Sequence, residues 1–84
     1  MTVFVDVREV DEFYSDHLPG AINLPLSKLK QGEFGELAGI HNVKLVLYCR
    51  SGNRSEIAKK IFESSGYIDV INGKNIKHIQ MSKY

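Results

Sequence analysis

Apolar residues in this chain fall into short, nearly continuous runs that are separated by longer stretches of mixed character. Runs of this length are typical of strands in a sheet that is covered on both faces. We predict strands at 3–7, 21–24, 45–48 and 67–71. The run at 45–48 is the clearest, because all of its residues are apolar.

Apolar residues at helical spacing predict helices between these strands. The predicted helices cover 9–14, 27–38 and 53–65, with a last helical turn at 76–81. The helix at 27–38 is expected to be interrupted, because Gly32 and Gly35 lower helix propensity. For the helix at 53–65 the expected buried stripe is Ile57, Ala58, Ile61 and Phe62. The alternation of strands and helices predicts an α/β fold, with a small, mainly parallel, four- to five-stranded sheet flanked by helices.

The helix at 53–65 also carries signals at its ends and on its outer face. Asn53 and Glu56 have the spacing of a capping box, and Gly66 is expected to end the helix. Glu56 and Lys60 are expected to pair on the outside. Among the aromatic residues, the simplest expectation is a core position for Tyr14, Tyr48 and Phe62.

Length and composition restrict the class of protein. A chain of 84 residues predicts a single domain, 1–84, and 43% apolar with 25% charged residues is ordinary for a globular protein. The formal charge of +1 favours neither a nucleic-acid nor a membrane-surface partner, and we expect a monomer. No signal-type segment precedes the first strand, so a cytoplasmic location is expected, or a periplasmic one if the sequence is a processed form.

Metal, cofactor and disulfide chemistry are not indicated. Cys49 is the only cysteine, which excludes an internal disulfide and a redox role through one. His17, His41 and His78 lie far apart without ligand spacing, so we expect no metal site and no cofactor. His17 precedes a Pro-Gly turn and is expected to form a local hydrogen bond.

Cys49 directly follows the most apolar strand, at the edge where parallel sheets bind ligands. The segment 49–55, Cys-Arg-Ser-Gly-Asn-Arg-Ser, leads from this strand into a helix, and its small residues allow successive N–H groups to turn inward. Such a nest binds anions, so the amides, the helix and two arginines should lower the pKa of the thiol. A buried structural thiol is the alternative, but it would have no need of the arginines and the glycine.

This loop is similar to the active-site loop of the rhodanese family. The segment 5–9, Val-Asp-Val-Arg-Glu, resembles the first motif of that family. The segment 16–25, Asp-His-Leu-Pro-Gly-Ala-Ile-Asn-Leu-Pro, resembles the second. The three motifs occur in the family's order and cover most of the chain, which is similar to the small, single-domain phage-shock type of rhodanese.

The resemblance implies a rhodanese-like fold and a sulfurtransferase that works by double displacement. Cys49 would take the outer sulfur of a small anionic donor such as thiosulfate and carry it as a persulfide. A thiophilic acceptor would then remove this sulfur. The acceptor would be cyanide or a thiol, including a thiol on a protein. The residues expected to bind substrate are Arg50, Ser51, Gly52, Asn53, Arg54 and Ser55.

The resemblance also implies different roles for the charged residues. Arg50 would face the donor, and Arg54 would brace the loop by pairing with a carboxylate, for which Asp6 is the candidate. Asp6 and Arg8 are accordingly assigned to structural support. The segment 72–75, Asn-Gly-Lys-Asn, stands where the family often has paired glycines, and it makes Lys74 a candidate positive charge at the mouth of the pocket.

Two other functions remain open. A persulfide carrier that delivers sulfur to a partner protein would share the first half-reaction. Tyrosine phosphatases and arsenate reductases also have a cysteine at a strand end and an arginine before a helix, but the spacing in those loops is one residue longer. In this chain four residues separate Cys49 from Arg54, and Ser55 stands at the position of the phosphate-binding arginine.

Overall fold

The computed structural model describes residues 1–84 and contains four strands and four α-helices. The strands are β1 (Thr2–Asp6), β2 (Ile22–Asn23), β3 (Lys44–Tyr48) and β4 (Asp69–Lys74). The helices are α1 (Val10–Ser15), α2 (Leu26–Leu29), α3 (Asn53–Ser64) and α4 (Ile76–Gln80), with a 3-10 turn at Gly35–Leu37. The elements follow the predicted order, and the segment expected as one interrupted helix consists of α2 and the 3-10 turn.

The four strands form one sheet in the order β2-β1-β3-β4, and every neighbouring pair is parallel. This confirms the predicted α/β fold with a parallel sheet. The carboxyl ends of β1 and β3 therefore lie side by side at one edge, with Asp6 opposite Tyr48. The loops that follow these two central strands are brought together by the sheet itself.

The core has two parts, one on each face of the sheet. The larger cluster contains Leu45 and Leu47 of β3 together with Phe62 of α3. The smaller cluster contains Val46 and Tyr48 of β3. Successive side chains of β3 from Leu45 to Tyr48 thus enter opposite clusters, which explains why these four positions are all apolar.

Two predictions of burial are wrong. Ile57 is 45% exposed and Tyr14 is 78% exposed, whereas Tyr48 and Phe62 are fully buried as predicted. The buried residues of α3 are Ser55, Ala58 and Phe62. Ile57 neighbours Ala58, and a step of one residue turns a side chain by about 100° around a helix, away from the core.

The predicted capping box on α3 is also wrong. Gly52 is the N-cap residue, in a left-handed conformation with φ of 95°, so Asn53 already belongs to the helix. The expected pair of Glu56 with Lys60 is wrong as well. Glu56 accepts a hydrogen bond from Asn72, and the ion pair on α3 joins Lys59 to Glu63 at 3.2 Å.

Local sequence signals do set the C-terminus of α3 and the N-terminus of α1. Gly66 has φ of 94° and follows the C-cap Ser65, which confirms the predicted stop. A capping box is present on α1, where Glu9 and Glu12 each bind the other's backbone N–H.

Candidate active site

Cys49 lies at the carboxyl end of β3 and is 2% exposed. Its backbone N–H donates to the carbonyl oxygen of Lys74 at 3.0 Å, which ties the start of the loop to β4. The backbone N–H of Gly52 turns inward and donates to the sulfur of Cys49 at 3.1 Å. The hydroxyl oxygen of Ser55, in the first turn of α3, lies 3.6 Å from the same sulfur.

Gly52 makes this curvature possible. Its φ of 95° is a conformation that L side chains rarely adopt. A Cβ atom at this position would lie 3.3 Å from Cγ of Lys74, whose aliphatic stem covers the loop. The loop therefore has both a backbone conformation and a neighbour that favour glycine.

Two opposing effects determine the acidity of the thiol. Burial raises the pKa of Cys49, but hydrogen bonds with the hydroxyl of Ser55 and with the backbone N–H groups of Ser55, Gly52 and Ser51 lower it. The net result is a pKa below the ordinary value for cysteine, as the nest predicts. Hydrogen bonds of the loop, rather than the two arginines, are the main cause.

The predicted pairing of Arg54 with Asp6 is wrong. Arg54 binds Glu12 of α1 through two hydrogen bonds, Nη1 to Oε1 at 2.7 Å and Nη2 to Oε2 at 3.1 Å. The hydrogen bonds with Arg54 are the largest cause of a low pKa for Glu12, which falls to about 2. The arginine does brace the loop through a carboxylate, but the carboxylate belongs to α1.

Asp6 is occupied by Arg8, which follows it by two residues. Nε of Arg8 lies 3.0 Å from Oδ1 and Nη2 lies 2.7 Å from Oδ2, while the backbone N–H of Arg8 also donates to Oδ1 at 2.9 Å. The pair is buried, with Asp6 at 0% and Arg8 at 8% exposure. Arg8 takes both carboxylate oxygens, so none is left for Arg54.

The remaining residues of the loop lie at its surface. Arg50, Ser51 and Asn53 are exposed, and Ser51 Oγ accepts from the backbone N–H of Asn53 at 3.4 Å. Of the predicted segment 49–55, the structure thus places Gly52 and Ser55 against the sulfur of Cys49, and the side chains of both arginines away from it.

Asn72 is the site residue that sequence reasoning missed. Its side-chain oxygen accepts from Ser55 Oγ at 2.6 Å, and its side-chain nitrogen donates to the carbonyl oxygen of Gly52 at 3.1 Å. Asn72 is a polar residue near the carboxyl end of the strand adjacent to β3, and polar residues at that edge are candidates for a site. A polar residue at this end of a predicted strand was the sequence signal that could have identified Asn72.

Lys74 and His17 are two further residues that the sequence singled out. Lys74 is the one non-glycine residue with positive φ, 70°, and its exposed side chain lies over Gly52. His17 forms the expected local hydrogen bond, with Nδ1 2.8 Å from the carbonyl oxygen of Phe13. A cavity of about 300 Å³ lies elsewhere, beside the end of β2, and no residue of the cysteine loop lines it.

A buried thiol at the end of a central parallel strand, with a backbone N–H donor at 3.1 Å and a pKa below the ordinary value, is a candidate nucleophile in an α/β protein. The family model described as Rhodanese-like domain matches residues 1–75. The chain belongs to the rhodanese family.

Similar proteins agree with this membership. The chain is 34% identical over 80 residues to "Thiosulfate sulfurtransferase PspE" of Escherichia coli (strain K12), covering 95% of this chain and 76% of that protein. A solved structure of a rhodanese with anions from E. coli is 34% identical with a TM-score of 0.78, covering 100% of this chain and 98% of the other. The chain is also 34% identical over 70 residues to "Putative sulfur carrier protein YrkF" of Bacillus subtilis (strain 168), where 81% of this chain matches 35% of the relative.

The helices provide one further fact. The longest, α3, has 12 residues, and none has the length and apolar character of a membrane span.

Proposed function

We propose that this member of the sulfurtransferase family transfers sulfane sulfur from thiosulfate, or another small anionic donor, to a thiophilic acceptor through a persulfide on Cys49. The observation that carries the proposal is the contact of 3.1 Å between the backbone N–H of Gly52 and the sulfur of Cys49. A donor fixed at this distance stabilises negative charge on sulfur without reorganisation during the reaction.

The first half-reaction is a displacement at sulfur. The thiolate of Cys49 attacks the outer sulfur of thiosulfate, a new S–S bond forms, and sulfite leaves with the electrons of the old S–S bond. The product is a persulfide whose outer sulfur carries the negative charge. Backbone N–H groups of the loop suit this anion, because they supply donors without adding a side chain that competes for the sulfur.

The second half-reaction returns the enzyme to its starting state. A nucleophile such as cyanide attacks the outer sulfur, and Cys49 leaves as a thiolate. The low pKa of Cys49 favours this step as well, because a more stable thiolate is a better leaving group. Cyanide gives thiocyanate, and a thiol acceptor gives a new persulfide.

The residues of the loop take separate roles in this proposal. Ser51, Gly52, Asn53 and Ser55 provide the lining that holds the sulfur and its substituent. Arg50, which is exposed, attracts the anionic donor, whereas Arg54 is held by Glu12 and keeps the loop in place. Asp6 and Arg8 support the neighbouring loop from within.

A second candidate is a persulfide carrier that hands its sulfur to a protein thiol. One of the relatives bears the name of a putative sulfur carrier, and this chain has one cysteine and hence no internal thiol to resolve the persulfide. Transfer to cyanide compared with transfer to a protein thiol separates the two candidates. Faster transfer to the protein thiol would favour the carrier.

The test of the covalent intermediate is the intact mass of the protein after treatment with thiosulfate. We expect a gain of one sulfur atom, which cyanide removes as thiocyanate. Cys49→Ser should gain no sulfur and produce no thiocyanate while keeping the circular-dichroism spectrum of the wild type. Turnover in the purified variant would exclude a persulfide on Cys49, and hydrolysis of an aryl phosphate faster than sulfur transfer would favour the phosphatase class.

A further inference from the structure

Asn72 lies directly before a bulge in β4 and reaches the active-site loop. Asn72 lies opposite Leu47, and Lys74 lies opposite Tyr48. Gly73, between them on β4, is therefore the extra residue without a partner on β3. Bulges change the direction of neighbouring side chains. Here the side chain of Asn72 extends to the first turn of α3.

The orientation of the Asn72 amide follows from its four partners. The side-chain nitrogen faces two acceptors, the carbonyl of Gly52 and Oε1 of Glu56, both at 3.1 Å. The side-chain oxygen faces the backbone N–H of Lys74 at 2.9 Å, which is only a donor. A flipped amide would oppose donor to donor and acceptor to acceptor, so the atom that faces Ser55 at 2.6 Å is the oxygen.

Ser55 therefore gives its proton to Asn72. A hydroxyl has one proton, and the amide oxygen of Asn72 at 2.6 Å can only accept it, whereas the thiol of Cys49 at 3.6 Å can itself donate. In this arrangement Ser55 presents only lone pairs to the sulfur. Lone pairs suit a neutral S–H group, which can donate to them, and do not suit a thiolate.

We propose that Asn72 is a positioning residue that competes with Cys49 for the hydroxyl proton of Ser55, so that formation of the thiolate requires this hydroxyl to turn from Asn72 to the sulfur. No covalent bond to Ser55 changes, and the thiol proton leaves to solvent. The turn leaves no polar group unpaired, because the oxygen of Asn72 keeps the N–H of Lys74. The inference rests on the proposed function only in taking the thiolate as the nucleophile.

None of the charged side chains around Cys49 forms a hydrogen bond with its sulfur. On α3, Arg54 is bound to Glu12 of α1, and Glu56 accepts from Asn72. The other charged groups at this edge are Lys74 on β4, the Asp6–Arg8 pair after β1 and the exposed Arg50. The backbone N–H groups that face the sulfur are fixed by the loop, so the direction of the Ser55 hydroxyl is the adjustable contribution.

The test measures the rate of alkylation of Cys49 by iodoacetamide as a function of pH. It compares Asn72→Ala with wild type, and the double variant Asn72→Ala/Ser55→Ala with Ser55→Ala alone. We expect Asn72→Ala to lower the pKa and to raise the rate at acidic pH about fivefold, the factor given by one ordinary hydrogen bond. In the Ser55→Ala background the change should have no effect. Asn42→Ala, an exposed asparagine away from the loop, is the matched control and should behave as wild type.

A merely structural role for Asn72 gives the opposite sign. Loss of its bond to Gly52 would loosen the loop, weaken the N–H contact to the sulfur and raise the pKa of Cys49. A raised pKa in Asn72→Ala, or an equal shift with and without the Ser55 hydroxyl, would overturn the inference.

A second variant covers the case in which Asn72→Ala does not fold. Asn72→Asp holds the Ser55 proton more strongly, so its alkylation should be slower than that of wild type. The decrease should be larger with Ser55 than with alanine at position 55, where only the added charge acts, and equal decreases would overturn the inference. Alkylation needs no sulfur donor, so a failure of sulfur transfer alone would contradict the proposed function and not this one.

Discussion

Two arginine–carboxylate pairs stand at the carboxyl edge of the sheet, and they differ in sequence separation and in burial. Asp6 and Arg8 are two residues apart and buried, with side-chain exposures of 0% and 10%. Glu12 and Arg54 are 42 residues apart, and their side chains are 23% and 34% exposed. The Asp6–Arg8 pair lies in the interior after β1, and the Glu12–Arg54 pair joins the cysteine loop to α1 near the surface.

This difference indicates different functions for two similar contacts. A buried charge that loses its partner cannot be solvated, so the Asp6–Arg8 pair is costly to break. A partly exposed pair contributes little stability, because water replaces the lost partner. We therefore expect the Glu12–Arg54 pair to matter more for the position of the loop than for the free energy of unfolding.

The largest effect is expected when the buried pair is broken. Asp6→Asn leaves the guanidinium of Arg8 buried beside a neutral group and should lower the free energy of unfolding by about 3–5 kcal/mol. Urea unfolding followed by circular dichroism measures this loss. Asp11→Asn, at an exposed position on α1, is the matched control and should change stability by no more than about 0.5 kcal/mol. A loss below that limit in Asp6→Asn would remove the distinction between the two pairs.

The exposed pair should give a smaller loss of stability but a clear loss of activity. Arg54→Ala is expected to cost about 0.2–1 kcal/mol, because the pair is partly solvated, and to slow sulfur transfer by freeing the loop from α1. Arg50→Ala is the comparison variant, since Arg50 is exposed. It should raise KM for thiosulfate with almost no change in Tm. Equal stability losses in the two arginine variants would show that these roles are misassigned.

The smallest effect is the dependence of the exposed pair on acid. Glu12 has a folded-state pKa of about 2 against an ordinary value of 4.5, so its contribution to stability is complete above 4.5 and is lost as pH falls toward 2. The difference in unfolding free energy between wild type and Arg54→Ala should be constant near neutrality and shrink between these values. A difference that persists unchanged at the lower end would mean that the pair is not electrostatic.

Much of the fold follows from the sequence alone. The strands, the α3 helix and its stop at Gly66 depend on residues that are neighbours in the chain, and local patterns report such interactions directly. The place of Cys49 follows for the same reason, because an apolar strand must end at a sheet edge and the small residues after it allow the loop to curl. These local patterns predicted the α/β fold, and the resemblance of three motifs to those of the rhodanese family indicated the family.

The contacts of the site were decided by the tertiary structure. Arg54 has a carboxylate partner, as expected, but the partner depends on the packing of α1 beside α3 and on Arg8 having taken both oxygens of Asp6. Asn72 reaches Ser55 because β4 pairs with β3, with Asn72 opposite Leu47, and because α3 packs on this part of the sheet. Side chains far apart in the chain meet according to register and packing, which local patterns do not encode, so the sequence determined which residues form the loop and the fold determined what each of them binds.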